Sequence, residues 1–213
     1  ISGNGTGNLN LSGTTESTTF KYDINIVDAS FDLIELGNFI SNGEYDGKIF
    51  NVKQARSITK DGLITGSGKI PIDLNLGSSA FGKLFDNEKI DFIANANIRT
   101  LPFLSSYISD LDSAVGKFEI ELSLNGISND VQRNGEIRIT NGRLYTLLLS
   151  DPVDLIDGYA TMQNNELSIH NLQALLFDNK NKEGNSLKQN TYISGAMDFS
   201  EFFSPGYDLR DQS

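Results

Sequence analysis

The residues of this chain that could take part in catalysis are few and far apart. One histidine, His170, is present among the 213 residues, and neither cysteine nor tryptophan occurs. In the stretch ELSIHNL, alternation places Leu167 and Ile169 on one side of a strand and Ser168 and His170 on the other. A Ser-His-Asp set needs a nucleophile elbow, and the pattern G-x-S-x-G is absent. We therefore predict that His170 is an exposed structural residue.

Asp151, Asp154 and Asp157 in DPVDLIDG could be taken for a calcium loop. Such a loop needs oxygen ligands at alternate positions and a central glycine, as in D-x-[DN]-x-[DN]-G. A spacing of three, with Pro152 and Val153 in between, does not supply that geometry. The sequence favours helix capping and turn hydrogen bonding for these carboxylates.

The opening GNGTGNLNLSG resembles a phosphate loop and a calcium-binding nonapeptide, and it fits neither. A phosphate loop needs Lys-Ser/Thr and a following helix, and the nonapeptide needs repeated aspartates. We interpret the stretch as a glycine-rich entry into a strand. A glycosidase pair of carboxylates stays possible, because some pair among 28 Asp and Glu residues always lies close, but no pair is singled out.

Composition narrows the function classes. A net charge of −11 argues against binding to nucleic acid and against electrostatic docking on an anionic membrane. Without cysteine, neither a disulfide framework nor a thiolate metal site can form. No apolar run approaches the ~18 residues of a membrane span, and no signal peptide is recognisable. The chain is interpreted as a fragment of a longer protein.

The best-defined strands lie between Gly116 and Leu144. Apolar residues alternate with polar ones over 117–124 and again over 136–139, as in half-buried strands. Asn125-Gly126 and Asn141-Gly142 follow these runs, and Asn-Gly is a strong turn signal. The pattern predicts an antiparallel meander with one apolar face.

The whole chain reads as ten to twelve strands with brief helical inserts. Phe31, Ile34 and Phe39 in the stretch 29–42 are spaced for a short helix with Ser30 as N-cap. The best helical stripe of apolar residues consists of Leu101, Leu104, Ile108, Leu111 and Val115. One further helical turn is predicted in DPVDLIDG. The predicted fold class is therefore all-β, an elongated antiparallel sheet with short helical inserts.

An internal repeat of about 110 residues is indicated by equal offsets. The pairs Leu9/Leu122 and Gly13/Gly126 are each 113 residues apart in the sequence. Asp46-Gly47 would match Asp157-Gly158 at an offset of 111. Repeats of this kind stack into arrays. We expect a first unit over 1–100 and a second over 101–213, joined in one continuous sheet.

The alternating faces admit two interpretations. Two sheets could face each other and bury residues such as Ile24, Ile72, Leu122 and Ile137 in a closed core. One sheet could instead curl into an open trough with those side chains on its floor, which would be a surface for a ligand or lipid. Alternation is identical in the two cases, so the pattern leaves both open. The repeat favours the trough, because a sheet that grows by repeats is elongated.

Several stretches resemble a known family. They are LPFLSSYISDLDSA, GKFEIELSLNG, NGEIRITNGRL, DPVDLIDGYATMQNNELSIHNLQALL and the later ISGAMDFSEFFSPGYDLR. In this order they are similar to the C-terminal region of the TamB (translocation and assembly module) family within the wider AsmA-like group. In this family a proline usually lies in the link after the strand that corresponds to GKFEIELSLNG. That proline is missing here, where the link reads GISNDVQRNG.

The resemblance implies a non-enzymatic protein of the periplasm, held in the inner membrane by a segment outside this fragment. It implies a curled sheet, or β-taco, whose hydrophobic groove carries phospholipid towards the outer membrane, with an Omp85-type barrel as partner and no cofactor. Open sheet edges would also allow copies to associate end to end. The expected lipid-binding floor consists of Leu9, Leu11, Tyr22, Ile24, Ile26, Ile64, Ile70, Ile72, Leu74, Phe92, Phe118, Ile120, Leu122, Leu124, Ile137, Ile139, Leu167 and Ile169.

Two other classes are weighed against this expectation. A surface adhesin or binding protein built as a closed β-sandwich or solenoid would bind a protein or glycan through its loops, for example through residues 178–190. An enzyme has no supporting constellation of residues in the sequence.

Overall fold

The computed structural model describes residues 2–31, 34–101, 111–148, 152–180 and 186–198. All eleven described strands belong to one antiparallel sheet, and each strand pairs with the strand that follows it in the chain. The all-β class predicted from the sequence is confirmed. The strands are β1 (Ser2–Gly13), β2 (Thr18–Phe31), β3 (Ile34–Tyr45), β4 (Ile49–Thr59), β5 (Gly62–Pro71), β6 (Lys89–Thr100), β7 (Leu111–Ile127), β8 (Asp130–Thr146), β9 (Val153–Gln163), β10 (Glu166–Lys180) and β11 (Ser186–Asp198).

Short polar turns join most of the strands. Between β3 and β4, the carboxylate of Asp46 accepts hydrogen bonds from the backbone N–H groups of Lys48 and Ile49, at 3.0 and 2.7 Å. Between β4 and β5, Thr59 pairs with Gly62, and the Thr59 hydroxyl accepts from the Gly62 N–H at 3.1 Å. These side chains mimic backbone turn bonds, which explains why short polar sequences suffice to reverse the chain.

The longest described connection runs from β5 to β6 and is called here the end strap, residues 72–88. It begins with an isolated bridge between Ile72 and Leu84. From there it crosses the same end of the sheet as the β1–β2 turn, where the Gly77 N–H donates to the Thr15 carbonyl at 2.8 Å. Further along, Ser128 in the β7–β8 turn donates to the Phe85 carbonyl at 2.6 Å. The strap therefore contacts both the β1–β2 turn and the β7–β8 turn.

The helix predicted over 29–42 is wrong. Residues 29–31 end β2, residues 34–42 belong to β3, and Phe39 pairs with Ile26 across the two strands. Asp32 and Leu33 lie outside the described residues. The irregular apolar spacing arises because the register of β2 and β3 shifts between Ile26 and Ala29. A strand with an extra residue loses strict alternation and can imitate a helical spacing.

The other helical inserts are not borne out either. Leu111 and Val115, the last two residues of the predicted stripe, lie in β7, and residues 102–110 are outside the described part of the chain. In DPVDLIDG, residues 153–157 belong to β9 rather than to a helical turn. The described residues contain no helix, so none of them forms a helix that could cross a membrane.

Asn141-Gly142 does not end a strand as predicted. Both residues lie inside β8, where the register with β9 shifts between Ile139 and Gly142. Asn141 has a φ of 55°, the left-handed conformation that asparagine tolerates in turns. A bulge uses the same conformation. The Asn-Gly pair therefore predicted the backbone conformation of Asn141 correctly, but the chain does not reverse its direction there.

The predicted repeat of about 110 residues is not borne out. Asp46-Gly47 lies in the turn after β3, whereas its supposed counterpart Asp157-Gly158 lies inside β9. The sheet also runs across the proposed boundary, because β6 pairs with β7 from Ile98–Phe118 to Lys89–Ile127. The described strands form one meander, in which each strand pairs with the next across the proposed boundary.

Candidate functional site

The strand register separates the sheet into an apolar and a polar face. Residues that lie directly opposite each other in neighbouring strands point to the same face, so the pairing can be followed as rows across the sheet. We call the side that carries Leu122 the apolar face. Its first central row is Gly7, Ile24, Ser41, Ala55, Gly66, Ala94, Leu122, Gly135, Met162, Leu167 and Met197.

A second central row runs beside the first, two residues along each strand. Its members are Gly5, Ile26, Phe39, Ser57, Ile64, Ala96, Ile120, Ile137, Ala160, Ile169 and Gly195. Neither central row contains a charged residue over all eleven strands. The polar face differs sharply: one of its rows is Asn10, Lys21, Glu44, Asn51, Lys69, Asp91, Asn125 and Gln132.

The structure brings nearly all of the predicted floor residues onto the apolar face. Beyond the two central rows, Leu9, Tyr22, Phe92 and Leu124 share a flanking row. That row also includes Gly43, Val52 and Gly68, and it ends at Arg133, whose Nη1 donates to Asn165 Oδ1 at 3.4 Å. Two more short rows complete the set: Leu11, Phe20, Tyr45, Phe50 and Ile70 at one end, and Gly62, Ile98, Phe118, Ile139 and Gly158 at the other.

Two predicted floor residues lie elsewhere. Ile72 and Leu74 continue the alternation of β5 in the sequence, but β5 ends at Pro71. Both belong to the end strap, where the Leu74 N–H donates to the Tyr45 hydroxyl at 3.0 Å. They form part of the end of the apolar face rather than its rows.

The sequence reasoning left out several residues that the register places on the apolar face. Phe39 was assigned to a helix, and Val52 lies beside the register shift between Val52 and Ala55, where β4 loses its alternation. Ile98 and Met162 belong to alternating strands, and strict parity from Phe92 and Leu167 would have found them.

Small residues are interspersed with large ones along the central rows. Leu122 leans over Gly135, so that a Cβ built on Gly135 would lie 2.5 Å from Leu122 Cδ2. The ring of Phe92 covers Gly66 in the same way. Glycine in a strand interior often marks a place where another chain or a ligand comes close to the backbone.

The apolar face stays partly accessible. All described strands lie in a single sheet, so no second sheet of the described residues covers it. Leu122 and Leu124 keep 37% and 36% of their surface exposed, and Leu9 keeps 58%. Exposed apolar side chains that line up in rows form a continuous surface suited to apolar matter.

Aromatic rings and the end strap close the face at one end. The ring of Phe20 lies 5.3 Å from that of Tyr45, and Tyr22 stacks on Phe50 at 5.4 Å. Burial raises the pKa of Tyr22 and of Tyr45, so both phenols stay neutral at physiological pH. The phenol of Tyr22 shares a hydrogen bond of 3.1 Å with Ser41.

A polar network holds the strap against this end. Asn75 Oδ1 accepts from the Thr18 N–H at 2.8 Å, and Asn75 Nδ2 donates to the Gly47 carbonyl at 3.2 Å and to Asp73 at 2.9 Å. Ser78 donates to the other carboxylate oxygen of Asp73, and this bond lowers the pKa of Asp73. The bonds to Thr18 and Gly47 connect the strap to the start of β2 and to the turn after β3, and the bonds among Asp73, Asn75 and Ser78 hold the strap together internally.

At the other end, a small core holds β6, β7 and β8 together. Ile98, Ala114 and Phe118 are buried there with Leu101, and Leu144 packs against them. The face between the two ends carries the half-buried residues of the central rows. The site is thus an accessible apolar strip between two well-packed ends.

The polar face offers no comparable site. One depression on it holds about 400 Å³ and is lined by long polar side chains, including Glu119, Glu121, Glu136 and Arg138. Arg138 pairs with Glu136 at 2.7 Å, and both side chains are about half exposed. Lys117 likewise pairs with Glu119 at 2.7 Å, and its hydrogen bond lowers the pKa of that exposed carboxyl. Exposed pairs of this kind are ordinary features of a solvated surface.

The candidate catalytic and metal residues are engaged in structural contacts. His170 Nε2 lies 2.8 Å from the Thr161 hydroxyl, and the imidazole stacks on Tyr159 at 4.9 Å, so the ring is half-buried rather than fully exposed as predicted. Asp154 pairs with Arg143, and Asp157 accepts from the Asn141 N–H at 2.9 Å. Among the residues that the structure describes, no group of three or more His, Cys, Asp or Glu could hold a metal ion. Asp151 lies outside them.

Comparison with known proteins gives no relative. No protein-family model matches the chain, and no curated protein or solved structure is similar enough to match.

Proposed function

We propose that the apolar face binds the acyl chains of phospholipids and that the chain is a lipid-carrying segment of an envelope protein. The observation that carries the proposal is the pair of central rows, which cross all eleven strands without a charged residue. Ten inter-strand spacings of about 4.8 Å give an uncharged path of about 48 Å along the sheet. That path exceeds the hydrocarbon thickness of a bilayer, about 30 Å.

The two faces of the sheet suit the two parts of a phospholipid, because its acyl chains can bind the apolar face while its headgroup stays in water. An acyl chain gains about 25 cal/mol for each Å² of apolar surface removed from water, and accessible residues such as Leu122 and Leu124 offer that surface. A headgroup can remain in solvent, so binding requires no ionic partner and no cofactor. The net charge of −11 does not oppose a ligand that is held by its tails.

The finer architecture is part of the same proposal. We infer that the sheet curls into an elongated trough of the β-taco type, with the apolar face inside. Together with the sequence resemblance, this supports the proposal that the chain is a TamB/AsmA-like protein. It would then act in the periplasm, anchored in the inner membrane by another segment, with an Omp85-type barrel as partner in outer-membrane biogenesis.

A matched pair of variants tests lipid binding. Leu122→Arg puts a charge on the central row, and Glu121→Arg puts the same charge on the adjacent polar position. An unpaired charge against an acyl chain costs at least ~1.4 kcal/mol even when the side chain bends away, which corresponds to a tenfold loss of affinity. We expect native mass spectrometry to find phospholipid on the unaltered protein and on Glu121→Arg, and about tenfold less on Leu122→Arg.

Two outcomes contradict the proposal. One is a folded Leu122→Arg protein, with an unchanged circular dichroism spectrum, that carries as much lipid as Glu121→Arg. The other is an unaltered protein that holds no lipid after purification and takes up no fluorescent fatty acid. In cells, a photo-cross-linking residue at position 122 should capture phospholipid, whereas one at position 121 should not.

A further inference from the structure

The middle of the end strap presents three large apolar side chains to solvent. We call residues 76–84, LGSSAFGKL, the strap tip. Leu76, Phe81 and Leu84 are 63%, 57% and 45% exposed there. Together they expose roughly 300 Å² of largely apolar surface, which is the size of the patches that mark interaction sites on soluble proteins. A surface of this kind calls for a partner.

The strap tip is a closed loop with hydrogen bonds of its own. At its base, the Gly82 N–H donates to the Asp73 carbonyl at 2.7 Å, and the Asp73 N–H donates to the Lys83 carbonyl at 2.9 Å. Within the loop, the Lys83 N–H donates to the Ala80 carbonyl at 2.9 Å, and the Ala80 N–H donates to the Ser78 hydroxyl at 3.0 Å. The exposed side chains are therefore carried by an ordered loop, and a partner does not have to order that loop on binding.

The composition of the tip favours a lipid surface as that partner. Lys83 is its only charged residue, in a chain whose net charge is −11. Leucine and phenylalanine insert into the boundary between headgroups and acyl chains, while a lysine beside them reaches back to the water. Protein-binding hot spots centre instead on Trp, Tyr or Arg, and the tip contains none of them.

The position of the strap gives this partner a purpose. The Leu74 N–H donates to the Tyr45 hydroxyl at 3.0 Å, and Tyr45 belongs to the apolar face, where it is only 2% exposed. The strap thus borders the surface that we propose to carry lipid. Lipid that enters or leaves this surface has to pass to or from a membrane, so the choice of a bilayer rests on the proposed function.

We propose that the strap tip docks on a phospholipid bilayer by inserting Leu76, Phe81 and Leu84 among the headgroups. Burial of apolar area drives this insertion, so it needs no anionic lipid. The net charge of −11 repels an anionic surface, and salt screens that repulsion. Between about 0.01 and 0.5 M salt, binding to phosphatidylcholine vesicles should stay constant, and binding to phosphatidylglycerol vesicles should increase.

A single tryptophan is a clean reporter of docking, because the chain contains none of its own. Phe81→Trp places the indole on the strap tip. Ile93→Trp is the matched control, since Ile93 is 44% exposed and pairs with Ser67 and Ser123 on the polar face. When phosphatidylcholine vesicles are added, the emission of Phe81→Trp should shift to the blue and should be quenched by brominated lipids. The emission of Ile93→Trp should not change.

Vesicle flotation measures the strength of docking without a reporter. Phe81→Ser removes roughly 100 Å² of inserted surface, which corresponds to at least a tenfold lower vesicle partition coefficient. Ile93→Ser should bind vesicles like the unaltered chain. Circular dichroism verifies that both variants are folded, and native mass spectrometry should find the same phospholipid on both, because neither residue lies on the apolar face.

The two proposals can fail separately. Adding Leu122→Arg to Phe81→Trp should leave the blue shift intact, because docking does not use the apolar face. A shift that disappears in this double variant would mean that the reporter senses lipid on the apolar face, and it would overturn the docking proposal. No shift with Phe81→Trp, or an equal shift with Ile93→Trp, would overturn it as well. So would self-association in sedimentation that Phe81→Ser abolishes, without vesicle binding, because the tip would then bind a second copy of the chain.

Discussion

Replacement of Asn75 by alanine is expected to loosen the end strap and destabilise the sheet. Asn75 is buried, with 8% of its surface exposed, and its amide joins three parts of the chain. Its oxygen accepts from the Thr18 N–H, and its nitrogen donates to the Gly47 carbonyl and to Asp73. Alanine leaves the first two groups without their partner at a site where Thr18 is only 3% exposed.

The magnitude follows from these orphaned groups. A buried donor or acceptor that loses its partner costs about 1–3 kcal/mol. Two such groups, with some access of water to the vacated space, give a loss of about 3 kcal/mol in the free energy of unfolding. Asp73 keeps its bonds from Ser78 and from the Asn75 backbone N–H, so it adds little.

Urea unfolding followed by far-UV circular dichroism measures the loss, and hydrogen exchange at the Thr18 amide locates it. Asn97→Ala is the matched control, because Asn97 is exposed in β6, and its effect should stay within about 0.5 kcal/mol. A loss below about 1 kcal/mol for Asn75→Ala, with Thr18 still protected from exchange, would refute the view that this network fixes the strap.

Two further predictions concern the same end of the sheet. Because the hydrogen bond from Ser78 lowers the pKa of Asp73 in the folded state, the ionised carboxylate stabilises the fold above its unfolded pKa of about 3.9, and that stability is lost as the pH falls through the lower folded value. Asp73→Asn should therefore flatten the acid limb of a stability–pH curve, and an unchanged limb would contradict the assignment. Gly43→Ala should cost more than about 2 kcal/mol, because its Cβ would lie 2.3 Å from the Asn51 carbonyl oxygen. Gly195→Ala, with open space around it, should be neutral in the same urea unfolding assay, and equal effects of the two variants would refute the packing argument.

The division of the sheet into two faces could be predicted from the sequence because it depends only on alternation. In β7, Phe118, Ile120, Leu122 and Leu124 share one parity, and the register confirms that they share one face. The number of strands also follows from counting such runs. Alternation cannot show what covers the apolar face, because a strand packed against a second sheet and a strand exposed to solvent have the same pattern.

The end strap could not be predicted. Thr18, Asp73 and Asn75 look like ordinary loop residues, and their burial arises from contacts between segments about 57 residues apart. Such a network leaves no periodic signal. Its only trace in the sequence was misleading: Ile72 and Leu74 extend the alternation of β5 past Pro71, where the strand ends.

Bulges explain the remaining errors, and they also show how the apolar face is extended. Asp28, Asn141 and Asn171 have φ values of 52°, 55° and 46°, and each lies inside a strand. In β2 the register passes from Ile26–Phe39 to Ala29–Gly37, so β2 advances three residues while β3 advances two.

The same step of three against two occurs in the other two strands. It takes β8 from Ile139 to Gly142 and β10 from Ile169 to Leu172. The extra residue reverses the parity of the strand, yet the residue after it returns to the apolar face, and Ala29 is 1% exposed there. Asparagine and aspartate tolerate the left-handed conformation that this requires. An Asn or Asp between apolar residues three positions apart therefore continues the apolar face in this sheet, although in the sequence it has the appearance of a turn.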